Sequence, residues 1–342
     1  MDSTVRVETA TAGGPSASNA AERLASLAYD DMRRVDALIL ERLDSHVDLI
    51  PELARYLIEA GGKRVRPMIT VAAANMLGHS GMAPIRLAAA VEFIHTATLL
   101  HDDVVDESGM RRGKVAANLV WGNASSVLVG DFLFARSFSL MVEAGSMKAL
   151  GVLSAAASTI AEGEVRQLSA VKDIGVSVDT YMQIIDAKTA ALFAAAAQVS
   201  GIVDGRDATE EAALETYGRE LGLAFQLVDD ALDYGGAAAK LGKSVGDDFR
   251  EGKVTLPVAL SLQAARGEEA EFWRRTIADT DQHDGDFDRA LAYIHRHGAL
   301  DATIAQARDH ALRARQALDI FPDNPWRKAL SDLADFVVER AY

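Results

Sequence analysis

The sequence predicts a single large all-α domain, and three observations predict it. Of 342 residues, 49% are hydrophobic, only 6% are aromatic and seven are proline, a balance that fills a sizeable core and favours helix over sheet. Apolar residues recur at helical spacing along most of the chain, and no stretch alternates as a half-buried strand would. Two acidic clusters of identical spacing, Asp102-Asp103-x-x-Asp106 and Asp229-Asp230-x-x-Asp233, each lie inside an otherwise apolar helical pattern. Length alone would allow two domains, but clusters that need each other across the fold favour one.

Residues 1–20, with Thr11-Ala12-Gly13-Gly14-Pro15-Ser16, are rich in small and polar residues and lack helical periodicity, which predicts a disordered tail before a helical domain over 21–342. Helical patterns then succeed one another. They break at Gly61-Gly62, Gly78 to Gly81, Gly145, Lys172 to Gly175, Gly201 to Gly205 and Gly235-Gly236. The acidic stretch Asp279 to Asp286 lacks the spaced ligands and closing Glu of a calcium loop and reads as a solvated connection.

A formal net charge of −15 argues against nucleic acid as a partner, which normally meets a basic face. The absence of cysteine removes disulfides and thiolate metal sites and fits a reducing, cytoplasmic setting. No uninterrupted apolar run long enough to span a bilayer stands out, nor does a basic-then-apolar leader.

Within each cluster the first and last carboxylates are i,i+4 and stack one turn apart on one helical face. Like charges held that close need a cation between them. Two such faces would present hard oxygen ligands to several Mg2+ ions, with coordination positions left for phosphate oxygens. His95 and Asp102 are i,i+7 with Thr98 on the same stripe, and Gln226 shares a face with Asp229, Asp230 and Asp233. One cluster alone would read equally well as a solvated helix end, and the second as a buried hydrogen-bond network. The matching spacing favours a shared ligand.

Gly61-Gly62-Lys63-Arg64-Val65-Arg66-Pro67 breaks one helix, supplies three cations and starts another with proline, the form of an anion site, although a plain basic surface loop has the same composition. Arg111-Arg112-Gly113 adds a cationic pair beside the first cluster. Lys188, Lys243 and Lys253 are isolated cations that would ordinarily be surface charge.

Together these segments closely resemble the trans-isoprenyl diphosphate synthases, or polyprenyl synthetases, from about residue 45 to 262. The resemblance rests on Gly61-Gly62-Lys63-Arg64-x-Arg66-Pro67, both aspartate motifs, Arg111-Arg112-Gly113, Lys188-Thr189, and Gly242-Lys243-x-x-Gly246-Asp247-Asp248 running to Gly252-Lys253-x-Thr255-Leu256-Pro257. It implies an isoprenoid synthase helical bundle with a central cavity. It also implies that Lys63, Arg66, His95 and Arg112 hold isopentenyl diphosphate, while Arg111, Lys188, Lys243 and Lys253 contact an allylic diphosphate such as farnesyl diphosphate. Asp102, Asp103, Asp106, Asp229, Asp230 and Asp233 would serve about three Mg2+ ions, Asp233 through water. Thr189 and Gln226 would stabilise the allylic cation, and relatives of this type commonly form homodimers, here through the apolar segment from Ser125 to Met141.

In that family, bulk four and five positions before the first aspartate stops chain growth. Here those positions hold Thr98 and Ala97, both small, which implies a long product, octaprenyl to decaprenyl, of the kind used for quinone side chains. Phe132, Phe134, Phe138 and Met141 are candidates for a floor that would instead stop the chain at about C20, and a shorter-chain synthase, making about C15 to C20, is the alternative within the same family. A terpene cyclase or a non-catalytic subunit of a heteromeric synthase are the other readings. Both intact aspartate motifs and the Gly-Gly-Lys-Arg loop weigh against these. Contact with a membrane surface for product release stays open.

Overall fold

The computed structural model describes residues 18–59, 64–111, 113–235 and 246–340. Its helices, in order, are α1 (Ser18–Leu27), α2 (Tyr29–Arg42), α3 (Leu49–Glu59), α4 (Val65–Met76), α5 (Ala83–Val105), α6 (Ala117–Trp121), α7 (Asn123–Glu143), α8 (Met147–Ala170), α9 (Val178–Ile185), α10 (Ala191–Asp204), α11 (Ala208–Tyr234), α12 (Asp247–Arg250), α13 (Leu256–Ala264), α14 (Glu268–Trp273), α15 (Asp286–Arg296), α16 (Ala299–Ala317) and α17 (Pro325–Glu339). A π-helical turn, Asp186–Ala190, joins α9 to α10, and another, Arg274–Ala278, follows α14.

The centre of the bundle is α10, whose Ala-rich sequence leaves Ala191 to Ala197 buried all round. It packs against α4, α5, α8 and α11. Small residues set how closely these helices approach. A Cβ on Gly218 of α11 would lie 2.2 Å from the Phe193 carbonyl oxygen, and one on Gly222 would lie 2.7 Å from the Ala190 Cα. Buried hydroxyls here are satisfied across helices: Thr70 donates to the Ala196 carbonyl and Ser200 to the Thr70 carbonyl, each at 2.8 Å. On the opposite side α5 lies along α7, with Gly130 making room for the His101 ring.

The breaks foreseen at Gly145 and Gly205 end α7 and α10 in the left-handed conformation, φ 79° and 74°. Ser146, Ser177, Asp207 and Asn324 then cap the next helices through side-chain oxygens.

Three features depart from the sequence expectation. Helix α1 starts at Ser18 and Ala20 is buried, so the last residues of the span read as tail are helical; residues 1–17 lie outside the described residues. A two-stranded antiparallel hairpin pairs Met110–Arg111 with Lys114–Val115, too short for alternation to show. By length and composition, Ala83–Val105 and Asn123–Glu143 are each apolar enough to cross a membrane, contrary to the expectation that no run would be. The first is 72% buried and carries Glu92, His95 and the first aspartates, so its apolarity serves the core. The second is 39% buried.

Candidate active site

Both aspartate clusters sit at the C-terminal ends of their helices, α5 and α11. There the helix dipole is negative and carboxylates are disfavoured, so the site depends on cations. Asp103 points inward, fully buried, and accepts from Arg111 Nε at 2.7 Å. Asn118 donates to its backbone carbonyl at 2.9 Å. Asp102 and Asp106 are partly exposed one turn apart. Burial pushes the Asp102 carboxyl up to about 6; Lys188 opposes this, and Glu164 and Asp106 add to it.

Lys188 and Thr189 stand on the π turn, where the widened ring re-aims side chains. Gly163 of α8 lets that turn come close: a Cβ there would lie 2.8 Å from the Ala187 Cβ and 3.0 Å from the Lys188 nitrogen. The Lys188 ammonium is 2.8 Å from Glu164 and 3.9 Å from Asp102. Thr189 donates to Gln226 Oε1 at 2.8 Å, and Gln226 Nε2 donates to Asp230 Oδ1 at 2.7 Å. Tyr181 donates to the other Asp230 oxygen. This chain fixes which way the Gln226 amide faces. Burial pushes Asp230 up to about 7 against the hydrogen bonds from Tyr181 and Gln226, with Asp229 and Asp233 adding to the rise. Asp229 is more exposed, with Arg340 Nη2 4.0 Å away.

Asp233 differs from its counterpart Asp106. Its Oδ1 accepts from the backbone N–H of Gly246 and Asp247 at 3.1 and 3.2 Å, and its Oδ2 from that of Asp248 at 3.0 Å. Burial raises its pKa while those three N–H groups lower it. Beyond α12 the chain returns Lys253 to the site. Its ammonium lies 3.1 Å from Asp106 and 2.6 Å from Glu251. Burial alone would lower the Lys253 pKa, but hydrogen bonds and charge from Glu251 and Asp106 outweigh it and hold the amine firmly protonated.

Tyr181, Lys188, Thr189, Gln226, Asp230 and Lys253 are among the walls of a cavity of about 140 Å³. Asp248 also faces it, its carboxyl pushed well up by burial and by the charges of Asp230 and Asp233. Among the described residues, no three His, Cys, Asp or Glu side chains converge as a ready-made metal cage. That fits Mg2+ all the same, because Mg2+ is commonly held by one or two carboxylates plus substrate phosphates. Asp102, Asp106 and Asp229 are the partly exposed carboxylates able to do this.

A second group lies where α4, α5 and α10 meet. Arg66 Nη1 is 3.2 Å from His95 Nε2, and its guanidinium stacks 4.5 Å from the centre of the Phe193 ring. Arg64, in a left-handed conformation at φ 46°, donates to the buried Glu92 at 2.7 Å and lies 2.9 Å from Asp36, so it ties the start of α4 to α5 and α2. Lys63, Arg112 and Lys243 lie outside the described residues. Ala97 is 1% exposed in the core and Thr98 is half-buried, its hydroxyl donating to the His95 carbonyl at 2.8 Å. Neither is among the walls of the 140 Å³ cavity.

Glu164, Tyr181 and Asp248 were not foreseen as site residues. Tyr181 lies two turns before Lys188 and so on its face, and Asp248 closes a motif already noted. Glu164 offers no signal beyond its neighbouring glycine.

An all-α bundle with two carboxylate-ended helices around a lysine-lined cavity defines the isoprenoid synthase class of fold. Within it, the chain belongs to the polyprenyl synthetase family, whose model matches residues 47–294. It is 49% identical to octaprenyl diphosphate synthase of Escherichia coli over 93% of this chain and 98% of that one. Its structure matches a decaprenyl diphosphate synthase from Rhodobacter capsulatus with TM-score 0.91 and 53% identity, covering 94% and 99% of the two chains. A polyprenyl synthase from Caulobacter crescentus, complexed with calcium and isoprenyl diphosphate, matches with TM-score 0.90 and 57% identity over 94% and 98%.

Proposed function

We propose that this prenyltransferase is a long-chain all-trans polyprenyl diphosphate synthase, extending an allylic diphosphate such as farnesyl diphosphate with isopentenyl diphosphate to octaprenyl or decaprenyl length. The observation that carries the chain length is the absence of bulk at Ala97 and Thr98, on the turns of α5 immediately before Asp102. The names of the octaprenyl and decaprenyl relatives agree with it. A product of that length suits a quinone side chain.

Asp102, Asp106 and Asp229 would hold Mg2+, about three ions in all, which when bound supplies positive charge to the departing diphosphate; the calcium complex of the Caulobacter relative supports a divalent ion. Lys188 and Lys253, with Arg111 and Lys243, bind and orient the allylic diphosphate. Arg66 and His95, with Lys63 and Arg112, bind that of isopentenyl diphosphate. Asp103 and Asp230 act from behind, orienting Arg111 and Gln226. Thr189 and Gln226 turn oxygen lone pairs toward the allylic cation as the C–O bond breaks, and the bundle keeps water from it. The isopentenyl double bond then attacks the allylic carbon, and loss of a proton to the released pyrophosphate restores an allylic product.

The exposed apolar residues Leu119, Val120, Leu128 and Val142 on α6 and α7 make pairing with a second copy the natural cover for that face. A cytoplasmic enzyme touching a membrane only to release product completes the reading. Purified chain given farnesyl diphosphate, isopentenyl diphosphate and Mg2+ tests it. Octaprenyl to decaprenyl products by mass support it, arrest at about C15 to C20 indicates the short-chain reading, and no elongation favours a cyclase or a non-catalytic subunit.

A further inference from the structure

The two aspartate clusters match in sequence, yet their third members are used differently. Asp106 is partly exposed and meets the Lys253 ammonium. Asp233 accepts three backbone N–H groups from consecutive residues, Gly246, Asp247 and Asp248. Its own backbone carbonyl also takes the Gly246 N–H, at 3.0 Å. A carboxylate has about four acceptor positions on its two oxygens, so most of its capacity is committed to main chain.

The clasped segment is built for this contact. Gly246 has φ 82°, a left-handed conformation that glycine adopts without strain, and a Cβ there would lie 2.5 Å from the Phe287 ring. From the clasp, α12 leads directly to Lys253, whose backbone N–H is bonded to the Asp248 carbonyl at 2.9 Å. The neighbouring Gly252 carbonyl is held by the Lys172 N–H at 3.1 Å. An unbroken set of short contacts therefore runs from Asp233 through the 246–253 backbone to Lys253, and from the Lys253 ammonium to Asp106.

We infer that Asp233 is a positioning residue that clasps the 246–248 backbone and thereby delivers Lys253 to the first aspartate cluster, in place of serving as a metal ligand. The inference deepens the proposed function and rests on it only for the statement that Lys253 meets a diphosphate; the clasp itself is independent of the reaction.

Three variants of the full-length chain test it: Asp233→Asn, Gly246→Ala and, as a metal-ligand reference, Asp229→Asn. Two readouts need no turnover: hydrogen exchange of the 246–248 amides, and Mn2+ binding in the presence of inorganic pyrophosphate followed by electron paramagnetic resonance. Asp233→Asn and Gly246→Ala should each speed exchange at 246–248 at least about tenfold, the loss of one charge-assisted hydrogen bond. Both should leave Mn2+ affinity within about threefold of the parent, and Asp229→Asn should do the reverse. Unchanged exchange in Asp233→Asn overturns the clasp, as does a loss of Mn2+ affinity equal to that of Asp229→Asn. If the chain proved to make a short product or none, these readouts would stand unaltered, so failure of the functional reading is distinguishable from failure of the clasp.

Discussion

Lys253 places its ammonium 3.1 Å from Asp106 across 147 residues of sequence, so a cation assigned to the substrate already neutralises a carboxylate assigned to metal. Metal-bound diphosphate would replace one partner of each with the other. Replacing Lys253 with Met removes the charge and keeps the stem. A charge-assisted hydrogen bond is worth roughly 1.5–3 kcal/mol, about 10- to 100-fold. The KM for the allylic diphosphate should rise by that factor while that for isopentenyl diphosphate stays within about twofold, as steady-state kinetics with each substrate varied would show.

Stability without ligand should fall as pH rises through the range set by Asp102 and Asp230. Their carboxyls are pushed from an ordinary 3.8 up to about 6 and about 7 by burial. The native state therefore holds protons that the unfolded chain has released, and its advantage is progressively lost as pH climbs from about 4 to about 7. Mg2+ with pyrophosphate binds the ionised form of Asp102, so the stabilisation it gives should grow as pH climbs from about 4 to about 6. Thermal melts from pH 5 to 8, with and without these ligands, check both slopes. Asp102→Asn should flatten the first.

Chain length should respond to Thr98→Phe more cleanly than to Ala97→Phe. Thr98 is half-buried, whereas Ala97 sits 1% exposed in a packed core where added bulk costs about 1–3 kcal/mol. Thr98→Phe should shorten the product to about C15 to C20 by blocking growth below the metal site, read by product mass. A full-length product from a folded Thr98→Phe enzyme would remove α5 from control of length.

Tyr181→Phe deletes one hydroxyl and leaves a buried Asp230 oxygen without that donor. The expected loss of stability is about 1–3 kcal/mol, measured by urea denaturation. Since Asp230 also holds the Gln226 amide, kcat should fall more than either KM changes.

Gly163→Ala should act at a distance from any substrate. Its Cβ would press within 2.8 Å of Ala187 and move the π turn that carries Lys188 and Thr189. Displacing such groups by about 1 Å costs up to about a hundredfold in rate, so kcat should drop well below parent in a protein whose helical circular dichroism is unchanged.

The helical fold and the two aspartate clusters were legible because their signals are local: apolar periodicity, and carboxylates one turn apart. Arg66 beside His95, Lys188 near Asp102 and Gln226 against Thr189 came from motifs and the family resemblance, and the structure brings each pair together. What stayed hidden depends on partners distant in sequence. Nothing in Asp233 tells it apart from Asp106 until the 246–248 backbone arrives, and Tyr181 looks like any aromatic core residue until α11 places Asp230 against it. The hairpin after α5 is two residues wide, below the length at which alternation can be read.

The π turn at Asp186–Ala190 holds one residue more than an α turn needs. Every side chain after it is therefore rotated by about 100° from where an unbroken helix would put it. Phe193, beyond the turn, meets Arg66 in that shifted phase. Counting, as much as chemistry, thus sets the site: removing Ala187 alone would leave every functional side chain present and turn the two halves of the helix to the wrong neighbours.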